Sequence, residues 1–391
     1  MTRPAEEIVR EAEDLLFDLE FAPARRWKSA APGRRVIGYM PVYAPREVVT
    51  AARAMALGIS GAGDWLEVIR GDAYYQSYLC HIPRSTIEMA VSGRLDFVDG
   101  MLFPSTCDVI RNLSGMWQLL RKDCYVRYLD VPQNFETATG GKFWEHELRT
   151  LGRELGALTG HTPTDDDLRA AIRTWRDNRR AIEDLYALRR ARPDAVPTSE
   201  AYLVTRAGNV LPVEEHTALV REYVAAAAKA ERTLVDLTRV VVVGAFCEQP
   251  PLGLLRTIER SGCAVVDDDF LLVSRWFTKD VREDGDPWAA LAEAFLRHTV
   301  PTATIYSPTA GRGRALVDRV RAAKAEGVIF AAPSFCTPAL LDQPMLVEAL
   351  DAAGIPYTAF KYAENTGQFQ SIREQTGTFA DSVRLWAGST A

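Results

Sequence analysis

Residues 326–338, EGVIFAAPSFCTP, predict the organisation of the whole chain. Gly327 and Pro333 bracket the apolar run 328–332, which is the pattern of a short buried strand. A Pro-Ser turn follows, and then Cys336, just ahead of a predicted helix. Because α/β proteins bind ligands at the carboxyl ends of parallel strands, we expect Cys336 to lie at a binding edge.

The first half of the chain carries a matching stretch, DFVDGMLFPSTCDVI, at residues 96–110. Here residues 97–103 are the predicted strand, and Pro104-Ser105-x-Cys107 matches Pro333-Ser334-x-Cys336. Two such units at corresponding places indicate an internal duplication. The cleft between the two halves would then receive both cysteine turns.

Other landmarks repeat in the same order. Gly38 in the first half matches Gly244, where the strand of the second half ends, and in each half a proline seven residues later opens a helix. Gly58 is predicted to end the first of these helices, as Gly262 ends the second. Further strands are predicted at residues 36–40, 125–129, 240–243, 263–266 and 356–360.

The order of strands and helices predicts an α/β fold of two duplicated Rossmann- or flavodoxin-like lobes, each with a parallel sheet. Residues 1–35 form an N-terminal helical segment, with a helix over 4–20 and a linker over 23–33. Residues 36–200 form the first lobe, including a helical connection over 142–190, and residues 201–391 form the second. Within this plan, Ser199 is expected to cap a helix, and another helix is expected over 214–234.

Composition bounds the possible functions of the chain. Its 391 residues carry a net charge of −6, which argues against a nucleic-acid surface. The first residues are acidic and amphipathic rather than a signal peptide, and the apolar runs are too short to cross a membrane. We therefore expect a cytoplasmic protein whose six cysteines are not paired in disulfides.

Three of these cysteines suggest chemistry. Cys107 and Cys336 occupy equivalent places in the two lobes, and Cys80 lies 27 positions before Cys107. Three converging thiolates suit a soft metal or an iron–sulphur cluster, whereas three separate buried thiols are an equally good explanation. Cys247 lies in a loop at the same edge and is a fourth candidate. Cys124 and Cys263 flank strands and are expected to be core thiols.

Two further patterns concern proton and phosphate chemistry. His81 follows Cys80 and could donate a proton near such a site, although a histidine held by a backbone hydrogen bond explains it as well. The chain carries neither G-x-x-x-x-G-K-[ST] nor a G-x-G-x-x-G after a strand. If the chemistry needs ATP or a dinucleotide, a partner would supply it.

The chain resembles the 2-hydroxyacyl-CoA dehydratase and benzoyl-CoA reductase superfamily along nearly its whole length. The stretches that carry the resemblance include YMPVYAPRE (39–47), LEVIRGDAYYQSYLCHIPRSTIE (66–88), RLDFVDGMLFPSTCDVIRNLSGMW (94–117) and APSFCTPALLDQPML (332–346). Within that superfamily, the chain is most similar to the C (gamma) subunits of ATP-dependent class I reductases.

The resemblance implies a function, a cofactor and partners. Cys80, Cys107 and Cys336 match the positions that hold a [4Fe-4S] cluster in the dehydratases. The implied reaction is the two-electron reduction of benzoyl-CoA to cyclohexa-1,5-diene-1-carbonyl-CoA. The implied partners are a homologous B subunit, ATP-hydrolysing A and D subunits, and ferredoxin as the electron donor. The alternatives are a 2-hydroxyacyl-CoA dehydratase subunit and a two-lobed scaffold or binding subunit without a cluster.

Overall fold

The computed structural model of the chain describes residues 3–232, 236–244, 250–305, 311–363 and 369–387. The helices are α1 (Ala5–Phe17), α2 (Ala22–Ser29), α3 (Arg46–Ala51), α4 (His81–Val91), α5 (Asp108–Leu120), α6 (Lys142–Thr159), α7 (Asp165–Ala191), α8 (Thr198–Arg206), α9 (Val213–Ala227), α10 (Leu252–Arg260), α11 (Pro287–His298), α12 (Arg312–Ala322), α13 (Thr337–Ala353) and α14 (Gln370–Ala387). The strands are β1 (Arg35–Tyr39), β2 (Ala54–Gly58), β3 (Gly100–Pro104), β4 (Tyr125–Leu129), β5 (Thr238–Val243), β6 (Cys263–Asp268), β7 (Gly327–Pro333) and β8 (Tyr357–Tyr362).

Two four-stranded parallel sheets form the centres of two lobes, which confirms the predicted α/β fold. The strand orders are β2-β1-β3-β4 and β6-β5-β7-β8, so the two sheets have the same topology. In each sheet the chain reverses its direction of winding between the first and third strands, β1 and β3 or β5 and β7. Ligands bind at this switch point in doubly wound sheets.

Buried apolar strands explain why the sheets form. All seven residues of β7 and all five residues of β3 are buried, as expected for parallel strands covered by helices on both faces. The two lobes meet through an aromatic contact in which Tyr43 of the first lobe packs on Trp276 and Phe295 of the second, with ring centroids 5.4 and 5.7 Å apart. The hydroxyl of Tyr43 is hydrogen-bonded to Thr302.

The helices outside the two β/α units pack on both lobes. Helix α1 buries Ala5, Ile8 and Ala12 in the same apolar cluster as α8 and α9. The 27-residue helix α7 lies along α3 of the first lobe and reaches β6 of the second. Among the described residues, no helix is both long enough and apolar enough to cross a bilayer.

Several predicted boundaries were wrong. Residues 54–58 form the strand β2, so Gly58 ends a strand rather than a helix. The residue equivalent to Gly262 is Arg53, since each lies between a helix and a strand with positive φ, +60° for Arg53 and +90° for Gly262. Strand β3 begins only at Gly100, not at Phe97.

The helical predictions also needed correction in three places. Part of the predicted linker 23–33 belongs to the helix α2, which carries a proline in its first turn. Ser199 is not a cap, because α8 starts earlier and its N-cap is Pro197, while the Ser199 hydroxyl bonds Glu259. The helix expected over 214–234 ends at Ala227.

Candidate functional site

A cavity of about 630 Å³ lies between the two lobes. Its walls come from the ends of β1, β3 and β7, from the start of α4, and from the segment before α12. Cys80, Cys107 and Cys336 all line this cavity. The other lining residues are mostly apolar and are Met40, Pro41, Leu79, Ile82, Thr106, Asp108, Val109, Ile110, Ala303, Thr304, Arg312, Phe335, Thr337, Pro338, Leu341 and Asp342. The structure thus brings the two duplicated cysteine turns and Cys80 to one place.

Each of the three thiols is the N-cap residue of a helix. Cys80 precedes α4, Cys107 precedes α5 and Cys336 precedes α13. The amino end of a helix carries partial positive charge, which stabilises a thiolate. Burial raises the pKa of Cys107, while backbone N–H groups of Ile110 and Val109 hydrogen-bond its sulphur and oppose that rise.

The two duplicated turns are anchored in the same way. The backbone N–H of Ser105 donates to the carbonyl of Leu129, the last residue of β4, at 2.8 Å. The backbone N–H of Ser334 donates to Tyr362, the last residue of β8, at 2.7 Å. Each Pro-Ser turn is therefore fixed to the neighbouring strand, which sets the position of the cysteine two residues later.

Cys80 lies at the end of a long loop that one carboxylate organises. Glu88 of α4 accepts backbone hydrogen bonds from Ile69, Arg70 and Gly71 at 2.9, 2.6 and 2.8 Å. Burial disfavours its charge, but these three N–H groups hold the pKa of Glu88 below its usual value. Gly71 packs so closely on Arg84 that a Cβ would lie 2.1 Å from the Arg84 carbonyl oxygen.

The other cysteines are placed differently. Cys124 lies just before β4, where burial raises the pKa of its thiol. Cys263 begins β6 and is fully buried, and burial raises its pKa to about 12. Neither lines the cavity described above. Cys247, the fourth candidate, lies outside the described residues.

His81 is buried beside the cysteine cavity but does not line it. Its Nε2 donates to the carbonyl of Gly63 at 2.8 Å, and its Nδ1 is buried without a hydrogen-bond partner among the described residues. Burial lowers the pKa of His81, so the ring is neutral near neutral pH. This geometry ties the histidine to the loop that carries Cys80.

The three thiols are soft donors, the kind of ligand that iron–sulphur clusters use. Over the described ranges, no three His, Cys, Asp or Glu side chains converge closely enough to hold one metal ion. A four-iron cluster spaces its cysteine ligands further apart than one ion does, since each thiolate binds a different iron. Three soft donors on the wall of one cavity therefore fit a cluster by their chemistry.

Sequence reasoning missed three charged residues of the cavity, namely Asp108, Arg312 and Asp342. Arg312 Nε donates to Asp342 Oδ1 at 2.7 Å, and Arg312 Nη1 donates to the carbonyl of Ile305 at 3.1 Å. The position of Asp342, six residues after Cys336 on a predicted helix, was a usable signal for this carboxylate. No comparable signal marked Arg312, which lies in a Gly-Arg-Gly sequence without a phosphate-loop pattern.

Duplicated parallel-sheet lobes with a thiol-lined cavity between them define a class: two-lobed α/β proteins with a cavity in the interlobe cleft. More particularly, the chain belongs to the 2-hydroxyglutaryl-CoA dehydratase D-component family, whose pattern matches residues 41–383.

Named relatives narrow the comparison further. The chain is 54% identical to the C subunit of benzoyl-CoA reductase of Thauera aromatica over 97% of this chain and 99% of that protein. It is 30% identical to the beta subunit of (R)-2-hydroxyglutaryl-CoA dehydratase of Acidaminococcus fermentans, over 91% and 94% of the two chains. It is 26% identical to the beta subunit of (R)-phenyllactyl-CoA dehydratase of Clostridium sporogenes, over 90% and 92%. The chain is thus an enzyme subunit, in a family whose named members work with partner subunits.

Proposed function

We propose that this chain is the iron–sulphur, substrate-binding subunit of an ATP-dependent benzoyl-CoA reductase. The observation that carries the proposal is the convergence of Cys80, Cys107 and Cys336 on one interlobe cavity. Its support from comparison is the 54% identity to the C subunit of a benzoyl-CoA reductase, which extends over almost the full length of both chains.

In this proposal the three cysteines hold a [4Fe-4S] cluster, and three helix amino ends favour their thiolate forms. When bound, the cluster supplies single electrons at low potential. The chain has no phosphate-loop motif, so ATP hydrolysis is assigned to the A and D partner subunits. A homologous B subunit and ferredoxin as donor complete the proposed cytoplasmic system.

The reaction is balanced by two electrons and two protons for each benzoyl-CoA reduced to cyclohexa-1,5-diene-1-carbonyl-CoA. The cavity volume of about 630 Å³ lies within the usual range for small-molecule sites. Its walls are largely apolar, with Leu79, Ile82, Phe335 and Leu341 among them. Apolar walls of this kind offer few groups that could deliver a proton to a reduced ring.

His81 is proposed as a residue that supports Cys80 and as a candidate proton donor of this site. Since Nε2 already donates to Gly63 and the ring is neutral, proton donation would require protonation at the buried Nδ1. A His81→Gln complex that keeps its iron but loses ring reduction would favour the proton role. Loss of iron together with activity would favour support of the loop.

The test uses the chain purified without air together with its partner subunits. We expect about four iron and four acid-labile sulphide per chain, and ATP-dependent conversion of benzoyl-CoA to the diene with a reduced ferredoxin as donor. Protein that is folded but lacks iron and sulphide would instead make the chain a scaffold or binding subunit.

A dehydratase is the second candidate, favoured by the match of residues 41–383 to a dehydratase family and by the dehydratase relatives. Fold and cluster would be the same, but the electron would be recycled rather than consumed. Turnover of a 2-hydroxyacyl-CoA without net consumption of reductant, and none of benzoyl-CoA, would establish this alternative.

A further inference from the structure

Two cavities meet at one carboxyl group. The cysteine cavity shares Ala303, Arg312 and Asp342 with a smaller cavity of about 100 Å³ in the second lobe. The smaller cavity has room for several water molecules, and polar groups of Thr302, Asp269 and Arg319 lie on its wall. Asp342 therefore stands between the proposed substrate cavity and a small cavity whose largely apolar wall carries a few polar side chains.

Few groups on the wall of the cysteine cavity can give up a proton. The three thiols are assigned to the cluster, and the hydroxyls of the lining threonines are very weak acids. The carboxyl groups among the lining residues are those of Asp108 and Asp342. Asp108 is exposed to solvent, whereas Asp342 is only 9% exposed.

The contacts of Asp342 suit a group that changes its charge. Its Oδ1 accepts the 2.7 Å hydrogen bond from Arg312 Nε, while no described group hydrogen-bonds its Oδ2. Arg312 is itself held by the carbonyls of Ile305 and Thr302, at 3.1 and 3.5 Å. A fixed guanidinium next to the carboxyl would stabilise the carboxylate that remains once a proton has left.

We propose that Asp342 delivers a proton to the reduced substrate in the cysteine cavity, and that Arg312 is its positioning residue. The proposal rests on the proposed function, which supplies the two electrons from a ferredoxin-class donor. After the ring accepts one electron, the O–H bond of Asp342 breaks and a C–H bond forms on the ring. The carboxylate pairs with Arg312 and regains a proton relayed from solvent by water that the smaller cavity can hold, and a second electron and a second proton complete the diene.

The electrostatics of the site are consistent with this role. Burial raises the pKa of Asp342, and the charge and hydrogen bond of Arg312 oppose the rise without cancelling it. The other charged side chains on the walls of the two cavities are Asp108, Asp269 and Arg319. A carboxyl with a raised pKa keeps a protonated population where exposed carboxylates are already ionised.

The experiment compares four proteins in the complete complex: parent, Asp342→Asn, Asp342→Glu and Asp351→Asn. Asp351 lies exposed near the other end of the same helix, so its variant makes the same chemical change away from the cavities. Ring reduction should fall about 100-fold or more in Asp342→Asn, with iron content unchanged. It should recover in part in Asp342→Glu and stay at the parent level in Asp351→Asn.

Two further measurements do not depend on Asp342→Asn assembling. In the isolated chain above the ordinary pKa of aspartate, the infrared difference spectrum of parent minus Asp342→Asn should contain the C=O band of one protonated carboxyl. The difference spectrum of parent minus Asp351→Asn should lack that band. In the complex, Arg312→Gln should move the alkaline limb of the kcat profile to higher pH, because loss of the cation raises the pKa of the acid.

Two results would overturn the proposal. The first is an alkaline limb of the kcat profile that does not move in Arg312→Gln. The second is ring reduction in Asp342→Asn within about two-fold of the parent, which is far short of the loss expected for a general acid. A parent complex that does not reduce benzoyl-CoA at all would instead overturn the proposed function.

Discussion

At the scale of single residues, the three cavity cysteines should differ sharply from the other thiols. We expect Cys107→Ser and Cys336→Ser to abolish retention of the cluster, because a serine hydroxyl is a harder and much less acidic ligand than a thiol. The Cys124→Ser variant should retain the iron of the proposed cluster, since Cys124 lies before β4 and does not line the cavity. Iron and acid-labile sulphide per chain, measured on anaerobically purified complexes, decide the matter.

Equal iron in all three variants would contradict the assignment of the ligands. Circular dichroism of the same samples separates loss of a ligand from loss of fold.

A second prediction at this scale concerns His216, which is buried in the helical layer. Its Nε2 donates to the carbonyl of Val204 at 3.0 Å, and Asn178 donates to its Nδ1 at 2.9 Å. Burial lowers the pKa of His216 to about 4. The unfolded chain therefore binds more protons below about pH 6.5, and stability should fall from there down to about pH 4, by about 1.4 kcal/mol per pH unit.

Urea unfolding between about pH 7 and pH 4.5 tests this dependence. His216→Gln should be less stable than the parent at neutral pH but should lose less stability on acidification. His146→Gln, which changes an exposed histidine, should follow the parent curve. Identical pH dependence in parent and His216→Gln would rule out the linkage.

At the scale of elements, the loop before Cys80 depends on Glu88 of α4. Replacing Glu88 by Gln removes the charge that three backbone N–H groups share, so we expect a loss of about 1.5–3 kcal/mol in the free energy of unfolding. Because the folded pKa of Glu88 is lowered, its contribution is present above the ordinary glutamate pKa and is lost as pH falls through the folded value.

Hydrogen exchange should show residues 69–71 opening faster in Glu88→Gln. Glu67→Gln changes an exposed glutamate of the same loop and should leave both exchange and stability unchanged. Equal effects of the two substitutions would mean that Glu88 does not organise the loop.

The elements also show which local patterns suffice for prediction. Strand β7 is an apolar run and strand β4, YVRYL, is rich in the β-favouring residues tyrosine and valine, and the positions of both were predicted closely. Strand β2, AMALG, has helix-favouring alanines and leucine, so its pairing with β1 and its complete burial, rather than its own sequence, make it a strand. The Pro-Ser-x-Cys turn could be recognised because it occurs twice in the sequence, once in each duplicated half.

At the scale of the whole molecule, duplication made the meeting of Cys107 and Cys336 predictable, whereas Cys80 was included without a duplicated counterpart. The facing cysteine turns followed from equivalent positions in two lobes. Arg312 and Asp342 come together from α12 and α13 through side chains alone, and no repeat marks them. Likewise, α7 bridges the lobes through buried ion pairs between residues more than 70 positions apart. A single sequence gives no sign of which distant residues form such pairs.

Those ion pairs lead to a prediction about how the lobes are held together. On the first lobe Arg179 of α7 pairs with Glu47 at 2.6 Å, with side chains only 6% and 2% exposed. On the second, Arg189 pairs with Asp268, which also accepts a hydrogen bond from Tyr186 at 2.9 Å. Glu47→Gln would leave the buried guanidinium without its counter-charge, so the free energy of unfolding should fall by about 3–5 kcal/mol.

The neighbouring Arg180 supplies a matched control, because its partner Asp280 is 39% exposed and Arg180 itself is 61% exposed. Exposed pairs contribute about 0–1 kcal/mol, so Asp280→Asn should barely move the urea midpoint. If the two substitutions lower the free energy of unfolding equally, the buried pair does not hold the lobes together. If only Glu47→Gln lowers the free energy of unfolding, α7 holds the first lobe in place through Glu47. Because Glu47 lies a few residues after Met40 and Pro41, which line the cysteine cavity, this contact would also fix that wall of the cavity.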